Sequence, residues 1–438
     1  MTDWSAITQR VEGCLPTGAI SGADGLPLDE VPARLVCTPT DVGQLRELVR
    51  VAAAAQCPIY PLGGRTLLGL GLPGRGEGIG ASTLKLDRVI DYPARDMTIT
   101  VEAGIRVGKL QEMLAAEGQR LPIDVPRAAE ATLGGAIATN VSGPRRYGYG
   151  TLRDYVIGVG VVDAQGNETR AGGRVVKNVA GYDLCKLYTG SLGTLGIITQ
   201  VTLKLRPIPE AAGVVWAKFD AIEQVAVAID RLAASATRPV AIEVLNAAAA
   251  EHVAANTSEP LPCRPWIVAI GFEESTEAVR WQCEHVQSEL NGLDVWFQSL
   301  EGDRARRVLA SLGEFQAAQP GAATFKANFL GSCTVEFLDG AQRQPVDWSV
   351  AAHAGSGVAF GHVLPPADPE QVQVSLNRLL SHAAALRGNL VVRRCPAAWK
   401  GTTPAWGRPR DDMWLMQAIR RKLDPQHLLN PGRFVTDV

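Results

Sequence analysis

Apolar residues in the first half of the chain recur with two different periods, and each period marks its own kind of element. Residues 34–38 and 57–62 are short apolar runs of strand length. Between them Leu45, Leu48, Val49 and Ala52 share one helical face, which predicts a helix over 41–55 capped by Thr40 or Asp41. Further strands are expected at 83–87 and 98–103, and a helix over 107–117 that stops at Gly118. Over 196–205, Ile197, Thr199, Val201 and Leu203 alternate with their neighbours, as in a strand with one covered face. Pro207 and Pro209 then break the run and mark a boundary.

The pattern changes beyond that boundary. Strand, helix and strand are expected at 214–219, 221–234 and 239–245, and again at 266–272, 275–290 and 293–297. Two β-α-β units in tandem fit a sheet layered with helices. Residues 303–390 read as less regular, with a helix near 369–386. A last helix over 411–423 leads to the loop Asn430-Pro431-Gly432-Arg433. The expected organisation is a first domain over 1–209, a second over 210–395, and a segment over 396–438 that returns to the first.

Three glycine clusters carry the candidate chemistry. Leu62-Gly63-Gly64-Arg65-Thr66 follows a strand directly, and its consecutive N–H groups can form a nest for a pyrophosphate. An ordinary tight turn explains the glycine pair about as well. It is neither a GxGxxG leading into a helix nor a Walker loop, which counts against a nicotinamide or P-loop site. The second cluster is Thr132-Leu133-Gly134-Gly135, followed by Thr139, Asn140 and Gly143. A helix starting there is expected to offer free N–H groups to an anion; a tightly packed small-residue helix is the plainer reading. The third cluster runs through 172–199, with six glycines ending at Gly196-Ile197-Ile198.

Composition narrows the class. The 438 residues suggest two or three domains. A formal net charge of −2 with dispersed lysines and arginines argues against a nucleic-acid partner. No window approaches a membrane span, and the first residues lack the basic and apolar regions of a signal peptide, so a cytoplasmic location is expected. The 8 cysteines include no CxxC pair, so neither an iron–sulfur cluster nor a structural zinc, and no other metal, is expected.

Together, the three clusters resemble the FAD-binding domain of the vanillyl-alcohol oxidase / p-cresol methylhydroxylase superfamily. The resemblance covers about 30–209 and the tail. It implies an α+β fold: a p-cresol-methylhydroxylase-type FAD-binding domain of two α/β subdomains, plus a cap domain with antiparallel sheet and helices. It also implies that Leu62, Gly63, Gly64, Arg65, Thr66, Thr132, Leu133, Gly134, Gly135, Thr139, Asn140, Gly143, Gly196, Ile197 and Ile198 hold FAD. Some relatives carry a histidine after the glycine pair for covalent attachment; Arg65 stands there, so non-covalent FAD is implied.

Gly143-Pro144-Arg145-Arg146, Arg153-Asp154, the run 172–184 and the NPGR tail look like the smaller flavin-domain (E) subunits of bacterial glycolate oxidases. That likeness implies oxidation of glycolate to glyoxylate beside a sister FAD-domain subunit and an iron–sulfur subunit, with membrane contact only through the complex. The relatives' HAGDGNLH-like segment is degraded here to His353-Ala354-Gly355-Ser356-Gly357-Val358-Ala359-Phe360, with His362 beyond it, and their SEGTLG glutamate is Leu192. Weak catalytic resources are His353, Arg145, Arg146 and Lys177, with Arg393 and Arg394 as further carboxylate clamps; surface or interface roles suit the arginines equally. The expectation is an accessory subunit that alone turns over glycolate poorly. A self-sufficient 2-hydroxy-acid dehydrogenase and a structural subunit with a vestigial flavin site are the alternatives. Trp399, Trp406 and Trp414 are candidate partner anchors.

Overall fold

A computed structural model describes residues 3–174, 181–257, 259, 265–293 and 295–434. Four sheets organise it. The first has strands β1 (Ile20–Gly22), β2 (Ala33–Cys37), β3 (Ile59–Leu62) and β4 (Gly78–Ser82) in the order β1-β2-β4-β3, parallel except at β1. The helix Val42–Ala54 covers it, capped by Asp41, whose carboxylate accepts from the Gln44 N–H. Leu45, Leu48, Val49 and Ala52 are buried on it as their spacing requires.

The second sheet is antiparallel, β5 (Val89–Asp91), β6 (Thr98–Glu102), β10 (Ile197–Lys204), β8 (Val156–Val162) and β9 (Glu168–Gly172) in spatial order. A small ribbon joins β7 (Gln119–Arg120) to β11 (Arg206–Pro207). The strand expected at 83–87 is a turn and extended chain; the strand is β4, just upstream. Its glycines resemble loop residues, yet they are what a central parallel strand needs here. A Cβ on Gly78 would fall inside the Pro58 carbonyl, and one on Gly80 would lie 2.8 Å from the Leu62 side chain.

The remaining strands form one eight-stranded antiparallel sheet: β12 (Ala211–Phe219), β13 (Ala241–Asn246), β14 (Trp266–Glu274), β15 (Trp296–Glu301), β16 (Thr324–Asn328), β17 (Trp348–His353), β18 (Val358–Val363) and β19 (Asn389–Arg394). Their order is β15-β12-β14-β13-β17-β18-β16-β19. The two β-α-β units interleave, β14 lying between β12 and β13, so neighbours run antiparallel. The stretch 303–390 is as regular as the rest. Three strands and the helices Gly302–Glu314, Thr334–Gln342 and Pro369–Ala385 lie within it or at its edge. Only β17 and β18 form a local hairpin; β16 pairs with β18 and β19 and β17 with β13 over long separations, which local pattern does not reveal.

One face of this sheet is sealed by the helices Ile222–Ala233, Thr276–Glu289, Thr334–Gln342 and Pro369–Ala385 around Phe325, Phe337 and Trp348. On the other face, the helices Ala247–Thr257 and Gly302–Glu314 pack over Trp216, Leu245 and Ile267. Beyond those helices, the part formed by β16, β18 and β19 faces the glycine-rich loops. No described helix is long and apolar enough to cross a membrane.

Buried charge fixes how the eight-stranded sheet sits on the first two. Arg145 donates to Asp124 at 2.5 Å and to Glu273 of β14 at 2.9 Å, and Arg120 reaches Glu273 at 2.7 Å. The Glu273 side chain is 2% exposed, so removing it leaves two buried guanidiniums short of an anion. Burial works to raise its pKa, but Arg145 and Arg120 outweigh that and hold the carboxyl below the usual glutamate range. Its stabilising contribution is therefore complete above the ordinary glutamate pKa and drains away as pH falls through the lower, folded value. Glu273→Ala is expected to cost about 3–5 kcal/mol, read by denaturant unfolding at neutral pH. Loss of less than about 1 kcal/mol, the range of exposed pairs, would refute the bracing role.

Candidate functional site

Strand β3 ends at Leu62 and delivers Gly63 and Gly64 against the segment before the helix Leu133–Thr139. The approach tolerates no side chain. A Cβ on Gly63 would meet the Thr132 hydroxyl, and one on Gly64 would fall inside the Glu130 carbonyl. Arg65 adopts a left-handed φ of 60°, and its Nε is buried with no partner. The backbone N–H groups of Arg65, Thr66 and Leu67 find no acceptor among the described residues, yet all three line a cleft of about 360 Å³. Unpaired N–H groups of consecutive residues beside small residues suit an anion.

Thr132, Gly134, Gly135 and Thr139 line the same cleft, as do Gly196, Ile197 and Ile198. Thr132 caps its helix by accepting from the Gly135 N–H at 3.3 Å. The expected free N–H groups are absent there. Leu133 N–H donates to the Ile105 carbonyl (2.9 Å) and Gly134 N–H to the Ala103 carbonyl (2.7 Å). This segment thus offers the cleft a wall of small side chains, with the anion donors left to the first loop. Leu133 is core, and Gly143 packs against Asp124; neither lines the cleft.

The tail completes the wall. Ile59 N–H donates to the Leu428 carbonyl (2.7 Å), and Asn430 Nδ2 donates to the Leu192 carbonyl (2.6 Å). Arg433 is buried and donates to the carbonyls of Leu68 (2.5 Å), Leu70 (3.0 Å) and Leu72 (3.2 Å), which holds the loop after Thr66 in shape. Lys400 and Arg433 share Glu30, with Lys400 Nζ at 2.5 Å.

The eight-stranded sheet closes the cleft with Gln316, Thr324, Arg393 and Arg394. A second cavity of about 120 Å³ adjoins it, with Thr139, Val141, Gln316 and Arg393 lining both. Asn140 enters here, with φ 48° and its Oδ1 without a partner, alongside Ser142, Lys326, Phe360 and Trp406. Arg393 is 8% exposed and donates to Gln316, at the carbonyl (3.3 Å) and Oε1 (3.1 Å). Among the described residues no carboxylate lies within 4 Å of Arg393 or of Lys326. Burial draws the Arg393 guanidinium down to about 10, so it remains a cation at neutral pH.

Residues 33–172 match the family described as FAD binding domain, and residues 208–318 the family described as FAD linked oxidases, C-terminal domain. The chain is an FAD-binding protein. The cleft fits the cofactor: among the described residues it has unpaired N–H groups at one end, an orphaned Arg65 Nε, and walls without acidic side chains. In fold the FAD protein resembles p-cresol methylhydroxylase with substrate bound, with a TM-score of 0.76 at 18% identity over 98% of this chain and 96% of that one. It is 25% identical to glycolate oxidase subunit GlcD of Bacillus subtilis, over 94% of this chain and 90% of the relative. It is 28% identical to D-2-hydroxyglutarate dehydrogenase of Xanthomonas citri, over 91% and 88%. A shorter match, 35% identical over 169 residues, is to glycolate oxidase subunit GlcE of Escherichia coli and covers 38% of this chain and 48% of the relative.

Three of the catalytic resources read from the sequence stand outside both cavities. Arg145 is held by Asp124 and Glu273. Arg146 donates to Ser142 Oγ at 3.2 Å, and burial lowers its pKa. His353 of β17 pairs directly with Glu243 of the adjacent β13 and meets that carboxylate through Nδ1 at 2.7 Å. Lys177 lies outside the described residues. His362 Nε2 meets the Phe315 carbonyl at 2.8 Å, and burial pushes its pKa down to about 3. Lys326 was missed. It sits in 323–328, where a lysine among strand residues looks like a solvent-facing position; only its neighbours Phe360 and Val391, from β18 and β19, place it in the cavity.

Gly64→Val is expected to give a folded but colourless protein, since the loop must leave the Glu130 carbonyl and carry its N–H groups with it. Full flavin absorbance in the purified variant, with an unchanged melting profile, would show that this loop does not hold the cofactor. With Arg65 after the glycine pair, acid precipitation of the wild type should leave all flavin colour in the supernatant. Colour in the pellet would demonstrate a covalent link.

Proposed function

We propose that this chain is an FAD-carrying subunit of a complex that oxidises a small 2-hydroxy acid, glycolate to glyoxylate, and passes the electrons to partner chains. The observation that carries the reading is Arg393: a buried cation without an anion, where the cofactor cleft opens into a cavity of about 120 Å³. A buried guanidinium with no counter-ion suits the carboxylate of an incoming substrate, because its fork of donors matches two oxygens and little water competes. When bound, FAD supplies the hydride acceptor. The residues already named supply the rest: the Gly63–Thr66 loop for the pyrophosphate, small side chains along the wall, and Arg393 for orientation.

The names of GlcD and GlcE support the glycolate reading and the complex with a sister FAD-domain subunit. An iron–sulfur subunit is the proposed onward acceptor. Among the described residues no group of three or more His, Cys, Asp or Glu is placed to hold a metal. Cytoplasmic residence, with membrane contact only through partners, belongs to the same proposal. A second reading, a self-contained dehydrogenase, draws on the similarity to D-2-hydroxyglutarate dehydrogenase over 91% of this chain.

An anaerobic absorption spectrum with and without glycolate separates the readings. Bleaching of the flavin by glycolate in the isolated chain, with sustained dye reduction only after partner subunits are added, is the expected result. Sustained turnover by the chain alone would establish the self-contained dehydrogenase. Flavin that stays oxidised with every small 2-hydroxy acid, partners included, would refute the function.

A further inference from the structure

The geometry points to Lys326 as the proton acceptor for the substrate hydroxyl, in the cavity where Arg393 fixes the carboxylate. This rests on the function proposed above and assigns it a residue. Oxidation of a 2-hydroxy acid breaks two bonds: the α-carbon C–H, whose electron pair leaves as hydride, and the O–H, whose proton needs a base within reach. FAD takes the hydride. The proton acceptor can be found by elimination. The first cavity is lined by arginines and neutral side chains, and the second by Arg393, Lys326 and neutral side chains. Among the described residues neither wall contains a histidine, aspartate, glutamate, cysteine or tyrosine. Arginines stay protonated, so among the described lining residues Lys326 is the one side chain able to gain a proton near neutral pH.

Its surroundings suit the task. Lys326 lies on the strand face shared with Phe360 and Val391, with Nζ 5.9 Å from the Phe360 ring centroid. The charged groups that act on it are cations, Arg393 of β19 and Arg146 of the short helix Arg146–Tyr149. Burial, then repulsion from these two, draws the ammonium down to about 8. A lysine that loses its proton near neutrality is a usable base, whereas an ordinary exposed one is not. Its neutral amine takes the hydroxyl proton as the carbonyl forms, and the resulting ammonium sits beside the carboxylate product.

The sign of the pH dependence follows. Below about 8 the residue is already an ammonium and cannot accept, so kcat/KM for flavin reduction should rise through that value and then level off. Lys326→Met keeps the side-chain length and removes the base. It should slow single-turnover flavin reduction by glycolate by ~10²–10⁴-fold and abolish the limb near 8. Oxalate, an unreactive anion, should still perturb the flavin spectrum of Lys326→Met with similar affinity, because Arg393 remains. A readout without turnover comes from competitive acetylation of the wild-type holoprotein followed by peptide mass spectrometry. Lys326 reactivity should climb with a midpoint near 8. A midpoint at the ordinary lysine value overturns the assignment even if the variant fails to fold. Wild-type reduction rates and pH limb in Lys326→Met would overturn it while leaving the proposed function standing. A wild-type flavin that no 2-hydroxy acid reduces would overturn both.

Discussion

The cleft exists because buried charge locks two separately built layers together. Glu273 is on β14 of the eight-stranded sheet, while Arg145, Arg120 and Asp124 come from the glycine-loop half. Tyr149 joins by accepting from Arg120 at 2.7 Å. Pairs of this kind add little net stability over an apolar contact, because both charges must leave water. What they contribute is orientation: hydrogen-bonded carboxylates and guanidiniums allow one arrangement where apolar surfaces would slide. Gly148 N–H to the Val240 carbonyl and Gln316 Nε2 to the Ser142 carbonyl extend the same register toward the cavity. In this way Arg393 and Lys326, on one layer, are held against the loops of the other.

The same junction explains why the tail matters. The loop after Thr66 has few internal hydrogen bonds, Leu70 N–H to the Leu67 carbonyl being one of them. Its carbonyls must be fixed from outside, and Arg433 does so from the far end of the sequence. Glu30 in turn balances Arg433 and Lys400, leaving the tail a neutralised cluster. The loop is therefore preorganised by residues from the far end of the chain.

Much of this was legible in the sequence where a local rule applied. Asp41 caps its helix, Gly118 ends the next, and the glycine pairs fall where backbones nearly touch. What failed was non-local. The N–H groups of Leu133 and Gly134 were expected to be free, but their acceptors, Ala103 and Ile105, arrive from the end of another strand. His353 stands out because its segment resembles a functional one, yet its partner on the adjacent strand β13 is Glu243, which engages it in the sheet. Arg145 was named from its motif, but its role depends on Glu273, more than a hundred residues away. Arg393 was named among other arginines with nothing local to rank it; only the cavity separates it from Arg145.

A buried cation without a counter-ion is unfavourable in the free protein, and that is informative about the site. Two cations converge on one small cavity, and a third, Arg146, adds to the repulsion felt by Lys326. Nothing in the packing requires this, since an apolar residue at 326 or 393 would fill the same space beside Phe360 and Trp406. Unfavourable electrostatics that persist in an otherwise well-packed core point to a ligand that relieves them. An anion does so by setting its carboxylate against the Arg393 guanidinium. On the proposed function, Arg393 and Lys326 do the work of a histidine that neither cavity wall has among the described residues.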